Sequence, residues 1–508
     1  MMDTKFIYRN LIAVATGILV SVAMTGCDED PMESLYIDNN DYYEEAYRPL
    51  VHFTPQKYWM NDPNGMIYLD GEYHLFYQYN PQTAFWGNMS WGHAVSKDLM
   101  HWENLPVALT KDHLGDIFSG SAVIDTKNTA GFGENALVAI YTSSGEKQTQ
   151  SIAYSLDKGR TFTKFAGNPV LANDGRVDFR DPKVFWYERG NCWIMSLATS
   201  QTISFYKSAN LRVWEKLSEF GDGIGSHGGV WECPDLFAVN YEGKEKWVLL
   251  VSINPGGPNG GSATQYFVGD FDGTSFKADP LSYPLWVDYG KDNYAGVTWN
   301  NAPDNRHLFI GWMSNWQYAG TVPSMVWRGG ATLPRELALK KHPDGYPVLT
   351  AEVVKEIEGI AGEWRTISSA NGSYELGTDT PYQLEITMTM VEDAKCVLVM
   401  KNGEGEKLPF TLDRRDNRLT IDRSASGKTS FSGDFGIKVV SPMNLSGDKL
   451  TLMLYVDRSS IECLLNGGLV QQTNLVYPKE MYTILSMESS EGKVTVDAVK
   501  VRNLNRVW

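Results

Sequence analysis

Between residues 48 and 340 the chain predicts a five-bladed β-propeller, followed over residues 366–508 by an antiparallel β-sandwich. Three observations carry this all-β reading. Strand-like runs dominate after residue 45, and amphipathic helical stretches are nearly absent. Apolar runs centred on Leu75, Val138, Ile194, Leu249 and Leu308 step by 63, 56, 55 and 59 residues. A second series, an acidic or amide residue leading to an aromatic, ends at Trp102, Phe162, Trp214 and Phe276 and steps by 60, 52 and 62. An all-β unit repeating at this length, with several strands per copy, reads as a propeller blade.

The elements follow in order. Residues 1–26 read as a targeting segment: Lys5 and Arg9 precede a 14-residue apolar stretch from Leu11 to Met24, too short to span a bilayer comfortably. It ends at Met24-Thr25-Gly26-Cys27, which resembles a bacterial lipobox with Met in place of the usual Leu. That resemblance implies Cys27 as a lipidated N-terminus, hence a membrane partner through the anchor. Asp28-Glu29-Asp30 resembles the export signal of bacterial surface lipoproteins, so an outer-membrane, cell-surface location is expected. Residues 27–47 read as a tether. After the five blades, residues 341–365 break the rhythm with a Lys-Lys-His-Pro-Asp-Gly turn, and residues 351–357 form the one plausible short helix of a linker. Beyond it, short alternating runs such as Tyr382-Gln383-Leu384-Glu385-Ile386-Thr387-Met388 predict the sandwich.

Composition narrows the function classes. With 43% hydrophobic and 21% charged residues the chain is of ordinary globular make-up, and its length allows two or three domains. The 16 Trp and 26 Tyr suit strand-rich folds and sugar sites, where rings stack on C–H faces. A formal net charge of −16 without a basic run disfavours nucleic acid and anionic lipid headgroups and favours a neutral substrate. Apart from Cys27, the cysteines Cys192, Cys233, Cys396 and Cys463 lie singly, without zinc-ligand spacing, and read as buried free thiols. No metal or organic cofactor is expected.

The polar motifs fall one per blade: Asp62, Ser119, Asp181, Glu232 and Tyr294, at steps of 57, 62, 51 and 62. Each precedes its blade's apolar strand, which places it on the innermost strand facing the channel. In Trp59-Met60-Asn61-Asp62-Pro63-Asn64-Gly65, Pro63 pushes Asp62 toward an extended conformation and Asn64-Gly65 predicts a turn, holding the carboxylate at a strand end. The neighbouring amides favour its ionised form. Asp181 follows Arg180, expected to pair with it and keep it a permanent anion. Glu232, between Trp231 and Cys233-Pro234, is expected in a less polar setting that suits a proton donor. Two carboxyl groups facing each other across a sugar-binding channel are the minimum for retaining glycoside hydrolysis.

The chain resembles glycoside hydrolase family 32, the levanase, inulinase and invertase family, across nearly its whole mature length. The matches run from Trp59–Gly65 through Phe76-Tyr77-Gln78-Tyr79-Asn80-Pro81, Trp86-Gly87, Phe118-Ser119-Gly120-Ser121, Arg180-Asp181-Pro182 and Trp231-Glu232-Cys233-Pro234-Asp235. They continue with Asp288-Tyr289-Gly290-Lys291-Asp292-Asn293-Tyr294-Ala295, Gly311-Trp312-Met313 and, in the sandwich, Val456-Asp457-Arg458-Ser459-Ser460-Ile461-Glu462. The resemblance implies Asp62 as nucleophile, Glu232 as acid/base and Asp181 as transition-state stabiliser. It implies Asn61, Gln78, Trp86, Ser119, Arg180 and Trp312 as the lining of a fructosyl pocket. Phe118 stands where many members carry Trp, which keeps an apolar wall. Exo attack on levan or inulin is the expected activity. Endo-levanase action and sucrose hydrolysis stay open, as do a non-catalytic fructan-binding lipoprotein and an inverting furanosidase.

The anchor has a direct test. Cys27→Ala is expected to move the protein from the membrane fraction to the soluble fraction; unchanged attachment contradicts the lipoprotein reading.

Overall fold

The computed structural model describes residues 42–445, 447–490 and 492–508. The expected leader, Cys27 and the tether up to residue 41 lie outside the described residues. Five antiparallel sheets follow one another along the chain. Their innermost strands are Tyr58–Leu69, Asp116–Asp125, Arg180–Tyr187, Val230–Tyr241 and Tyr294–Thr298. Each packs against the next and the last against the first, which closes a five-bladed ring. The expected apolar runs form the second strand of each blade: Glu72–Asn80, Ala136–Ser144, Cys192–Thr199, Lys244–Asn254 and His307–Trp312. These are buried on both faces, between neighbouring blades, so they read as continuous hydrophobic runs. Trp327–Arg328 adds a parallel strand to the inner edge of blade one, so a late segment covers the edge of the first blade.

The second repeat series is the turn between the third and fourth strands. The Asp98 carboxylate accepts from the backbone N–H groups of Met100 and His101, and Asn210 accepts from those of Arg212 and Val213. Asp157 takes the Thr161 N–H, and Asp272 those of Thr274 and Ser275. A short polar side chain that caps its own turn explains why Asp or Asn recurs there.

Two local expectations are corrected. Asn64-Gly65 is no turn: the strand runs on to Leu69, with register breaks between Met60 and Pro63 and between Asn64 and Ile67. Gly65 has φ +52°, and a Cβ there would stand 2.8 Å from the rings of Phe76 and Trp91, so close packing and the bulge select glycine. Residues 351–357 are no helix either. Blade five keeps its outer strand at Pro347–Val353, paired with Arg335–Lys341, and only Lys355–Gly359 forms a 3-10 turn. Its inward side chains, Leu349 and Ala351, are buried in the core of blades four and five, and packing outweighs the helical reading. The propeller therefore extends past 340 into the expected linker.

The sandwich has two six-stranded sheets around a core that includes Leu384, Ile386, Leu398, Phe410, Leu452 and Val501. Burying each such side chain contributes about 1.5–3 kcal/mol. The expected tether is docked at its end: Tyr43 stacks on Trp508 at 4.4 Å, and Arg48 is paired with Glu45 and bonded to Thr54.

A buried polar network joins the two domains. His52 bonds Asp457 at 2.7 Å through Nδ1 and Glu462 at 2.9 Å through Nε2. Glu462 also accepts from Arg335 at 2.6 Å, and Arg335 donates to Asp288 at 3.0 Å. Burial opposes charge on His52, yet its bonds to Asp457 and Glu462 outweigh this and raise its pKa to about 9. Burial likewise opposes ionisation of Glu462, but the Arg335 charge and His52 bring it to about 2. The protonated His52 therefore stabilises the fold below its unfolded pKa of about 6.5, and that contribution is lost as pH rises through about 9. Between these limits the unfolding free energy should fall by roughly 1.4 kcal/mol per pH unit on account of His52. Denaturant unfolding at several pH values, wild type beside His52→Gln, should show the slope flattened in the variant; equal slopes contradict the assignment.

Candidate active site

All five innermost strands break register at the same level. The breaks fall between Met60 and Pro63, Ile117 and Gly120, Glu232 and Asp235, and Tyr294 and Val297, and in blade three opposite Ser196–Ala198. A bulge re-aims the side chain it carries. Here the bulges bring Asp62, Ser119, Asp181, Glu232 and Tyr294 to one end of the channel. Asp181 and Cys233 hold left-handed φ values of +65° and +46°, a strain of about 1–3 kcal/mol each of the kind that clusters at active sites.

Of these, Asp62, Ser119, Asp181 and Glu232 line a cavity of about 380 Å³. Asp62 accepts from Asn61 Nδ2 at 2.9 Å and from Ser119 Oγ at 2.6 Å. Asn61 is itself held by the Trp59 indole N–H at 2.7 Å. The buried Asp181 accepts from the Cys233 backbone N–H at 3.0 Å. The Cys233 thiol lies 3.6 Å from both Asp62 Oδ2 and Asp181 Oδ2, so one sulfur bridges the two carboxylates. Glu232 Oε1 receives Nε and Nη2 of Arg180, both at 3.0 Å, and Oε2 receives the Tyr294 hydroxyl.

Burial raises the pKa of Asp62, and the Glu232 charge adds to this, against the lowering by Ser119 and Asn61. Burial also dominates at Asp181; the Arg180 charge opposes it, the charges of Glu232 and Asp62 add to it, and the pKa reaches about 7. The expectation that Arg180 alone sets the ionisation of Asp181 is corrected: burial and the charges of Glu232 and Asp62 outweigh this cationic neighbour and raise the Asp181 pKa. Arg180 does not hydrogen-bond Asp181 but pairs with Glu232 and with Asp178 at 2.5 Å. The less polar setting expected for Glu232 is also corrected. The Trp231 ring turns away, its indole donating to Ser226 O, and Glu232 sits between a guanidinium and a phenol.

Asn61, Gln78, Trp86, Phe118, Ser119 and Arg180 line the cavity beside the three carboxyl groups. Gln78 is held by Asn64 and Ile117 O, and Trp86 is exposed at the rim, edge-on to Phe118. Trp312 does not reach the cavity. It is fully buried behind Trp316, 4.9 Å between ring centroids, because it sits on the packed second strand of blade five. Trp316, in the loop after that strand, supplies the wall instead. Gln148 and Asn254 also line the cavity and were not singled out from sequence; both lie at strand ends away from the acidic motifs. A larger depression of about 770 Å³ lies at the far ends of the inner strands, but its Arg189 and Arg306 are paired with Glu245 and Glu356.

A five-bladed propeller whose channel gathers three carboxyl groups, amides and rim indoles defines a glycosidase. Residues 52–348 match the model of the glycosyl hydrolases family 32 N-terminal domain, and residues 358–503 match that of the family's C-terminal domain. The chain belongs to glycosyl hydrolase family 32. It is similar to the levanase of Bacillus subtilis, 47% identical over 92% of this chain and 72% of that protein. The solved exo-inulinase of Aspergillus awamori superposes with a TM-score of 0.84 at 34% identity, over 92% of this chain and all of that one. A fructofuranosidase variant from Schwanniomyces occidentalis, solved with fructosylnystose, gives 0.84 at 33%, again over 92% of this chain and all of that one.

Proposed function

We propose that the protein is a retaining, exo-acting fructan β-fructosidase of the levanase or inulinase type. The observation that carries the reading is the convergence of Asp62, Asp181 and Glu232 from three blades on one small cavity. The similarity to a levanase and an exo-inulinase supports the fructan substrate. Exo attack is supported by the base of the site: behind Asn61 and Trp316 the indoles of Trp59 and Trp312 fill the space, and a blind end suits a chain terminus.

In this reading Asp62 attacks the anomeric C2 of a terminal fructosyl unit, and Glu232 gives its proton to the departing glycosidic oxygen. Water, deprotonated by Glu232, then releases fructose from the fructosyl-enzyme, returning the proton to Glu232 and the carboxylate to Asp62. Asp181 accepts hydrogen bonds from ring hydroxyls and balances the positive charge of the oxocarbenium-like transition state. A fructofuranosyl cation is tertiary and comparatively easy to form, so an anion to collect it and a placed acid suffice. Asn61, Gln78, Arg180, Ser119, Trp86 and Phe118 hold and wall the sugar, with Trp316 in the part first expected of Trp312. The lipobox-like Met24-Thr25-Gly26-Cys27 and the acidic Asp28-Glu29-Asp30 support a lipoprotein anchored at Cys27 on the outer face of the outer membrane.

Asp62→Asn and Glu232→Ala should each lower kcat by roughly 10³-fold or more with the circular dichroism spectrum unchanged. Azide should restore turnover to Glu232→Ala by attacking the fructosyl-enzyme in place of water. Near wild-type rates in either variant contradict the roles. Digestion of levan and inulin should release fructose alone; a ladder of oligosaccharides contradicts exo attack.

A further inference from the structure

We propose that the β-sandwich positions the proton donor of the catalytic domain through the Asp288–Tyr294 loop, with Thr473 and Arg423 as positioning residues. The inference rests on the role given to Glu232 above. The loop lies in the propeller sequence but is anchored on the sandwich. Asp288 accepts from the Thr473 backbone N–H at 2.9 Å and from its hydroxyl at 2.6 Å. Tyr289 N donates to Gln471 O at 2.9 Å and Asp292 N to Thr473 O at 3.1 Å, so the loop runs along the sandwich strand Val470–Leu475. At Gly290 a Cβ would stand 2.0 Å from Thr473 O, which leaves no room for any other residue. Asp292 accepts from Arg423 Nη1 and from Leu475 N, both at 2.8 Å, and from the Tyr318 hydroxyl at 2.6 Å. Arg423 and Asp292 are both fully buried, so the anchor has no competing water.

Two residues beyond Asp292, the Tyr294 hydroxyl meets Glu232 Oε2. Asn293 between them is locked too, donating to Asp288 at 3.1 Å with its Oδ1 tight against Gly311. The groups facing Glu232 are Arg180 and Asp181 from blade three, Asp62 from blade one, Cys233 beside it and Tyr294 from blade five. Tyr294 is the one whose place is set from the other domain. Its phenol is pushed well above its ordinary pKa, by burial first and then by the charge of Glu232, so it stays a neutral donor across the working range. A hydroxyl donated to a carboxyl group favours the ionised form. Losing that bond, directly or by releasing the loop, therefore moves the alkaline limb of the kcat/KM profile, where proton donation is lost, to higher pH.

The test is a cycle of pH profiles for wild type, Thr473→Val, Tyr294→Phe and the double variant, with fold checked by near-ultraviolet circular dichroism. Tyr294→Phe should raise the alkaline limb by about half to one pH unit. Thr473→Val should move it the same way by a smaller step, and should move it no further in the Tyr294→Phe background. Thr473→Ser, which keeps the hydroxyl, should restore the wild-type limb. An unmoved limb in Thr473→Val or in Tyr294→Phe overturns the proposal, and so does an equal shift from Thr473→Val in both backgrounds. If Thr473→Val does not fold, Arg423→Lys takes its place with the same criteria. The Glu232→Ala measurement decides the role of Glu232 separately, so with that residue essential these outcomes bear on the loop alone.

Discussion

Placing Asp62 and Asp181 against a single buried thiol, with Glu232 beside them, gathers three carboxyl groups in a space where burial and neighbouring charge raise the cost of ionising both aspartates. Every neighbouring feature answers that constraint. Ser119 and Asn61 donate to Asp62, the Cys233 N–H to Asp181, and Arg180 and Tyr294 to Glu232. The five bulges and the left-handed conformations of Asp181 and Cys233 are the backbone's share, turning side chains inward that a regular strand would leave beside the channel. A propeller suits this arrangement because each blade contributes one short, rigid inner strand, and the strain at its end is held by a packed second strand.

The sandwich is part of the same construction. Its Asp457 and Glu462 hold His52 and Arg335, while Thr473, Arg423 and Leu475 hold the loop that ends at the channel. Buried ion pairs of this kind add little net stability, but removing one partner leaves an unpaired charge and costs about 3–5 kcal/mol. They are therefore better understood as fixing one relative placement of the two domains than as glue.

The fold was legible because its signals are local and repeated: an apolar run for each second strand, a self-capping Asp or Asn for each outer turn. The one-per-blade spacing of Asp62, Ser119, Asp181, Glu232 and Tyr294 likewise carried over to the inner strands. What failed was of two kinds. Residues 351–357 and Asn64-Gly65 follow local preference in isolation, and packing of Leu349, Ala351, Phe76 and Trp91 overrides it. The partner of Arg180 is not legible in the sequence because adjacency says little in a strand, where Arg180 and Asp181 point different ways and the bond goes to Glu232, 52 residues on. Trp316 could have been found as the second indole of Trp312-Met313-Ser314-Asn315-Trp316, the one that falls beyond the packed strand. The sandwich motif from Asp457 to Glu462 stood out as a match, but its partners His52 and Arg335 lie 405 and 127 residues away.

The central claim is that Asp62 attacks the anomeric carbon from within the same cavity that holds Glu232. Retaining chemistry then requires water to enter from the side the leaving group left. Nuclear magnetic resonance during the first minutes of hydrolysis, before mutarotation, reads this directly. The account requires β-fructofuranose as the first product; an initial α-anomer would mean inversion and would contradict both the nucleophile and the geometry on which it rests.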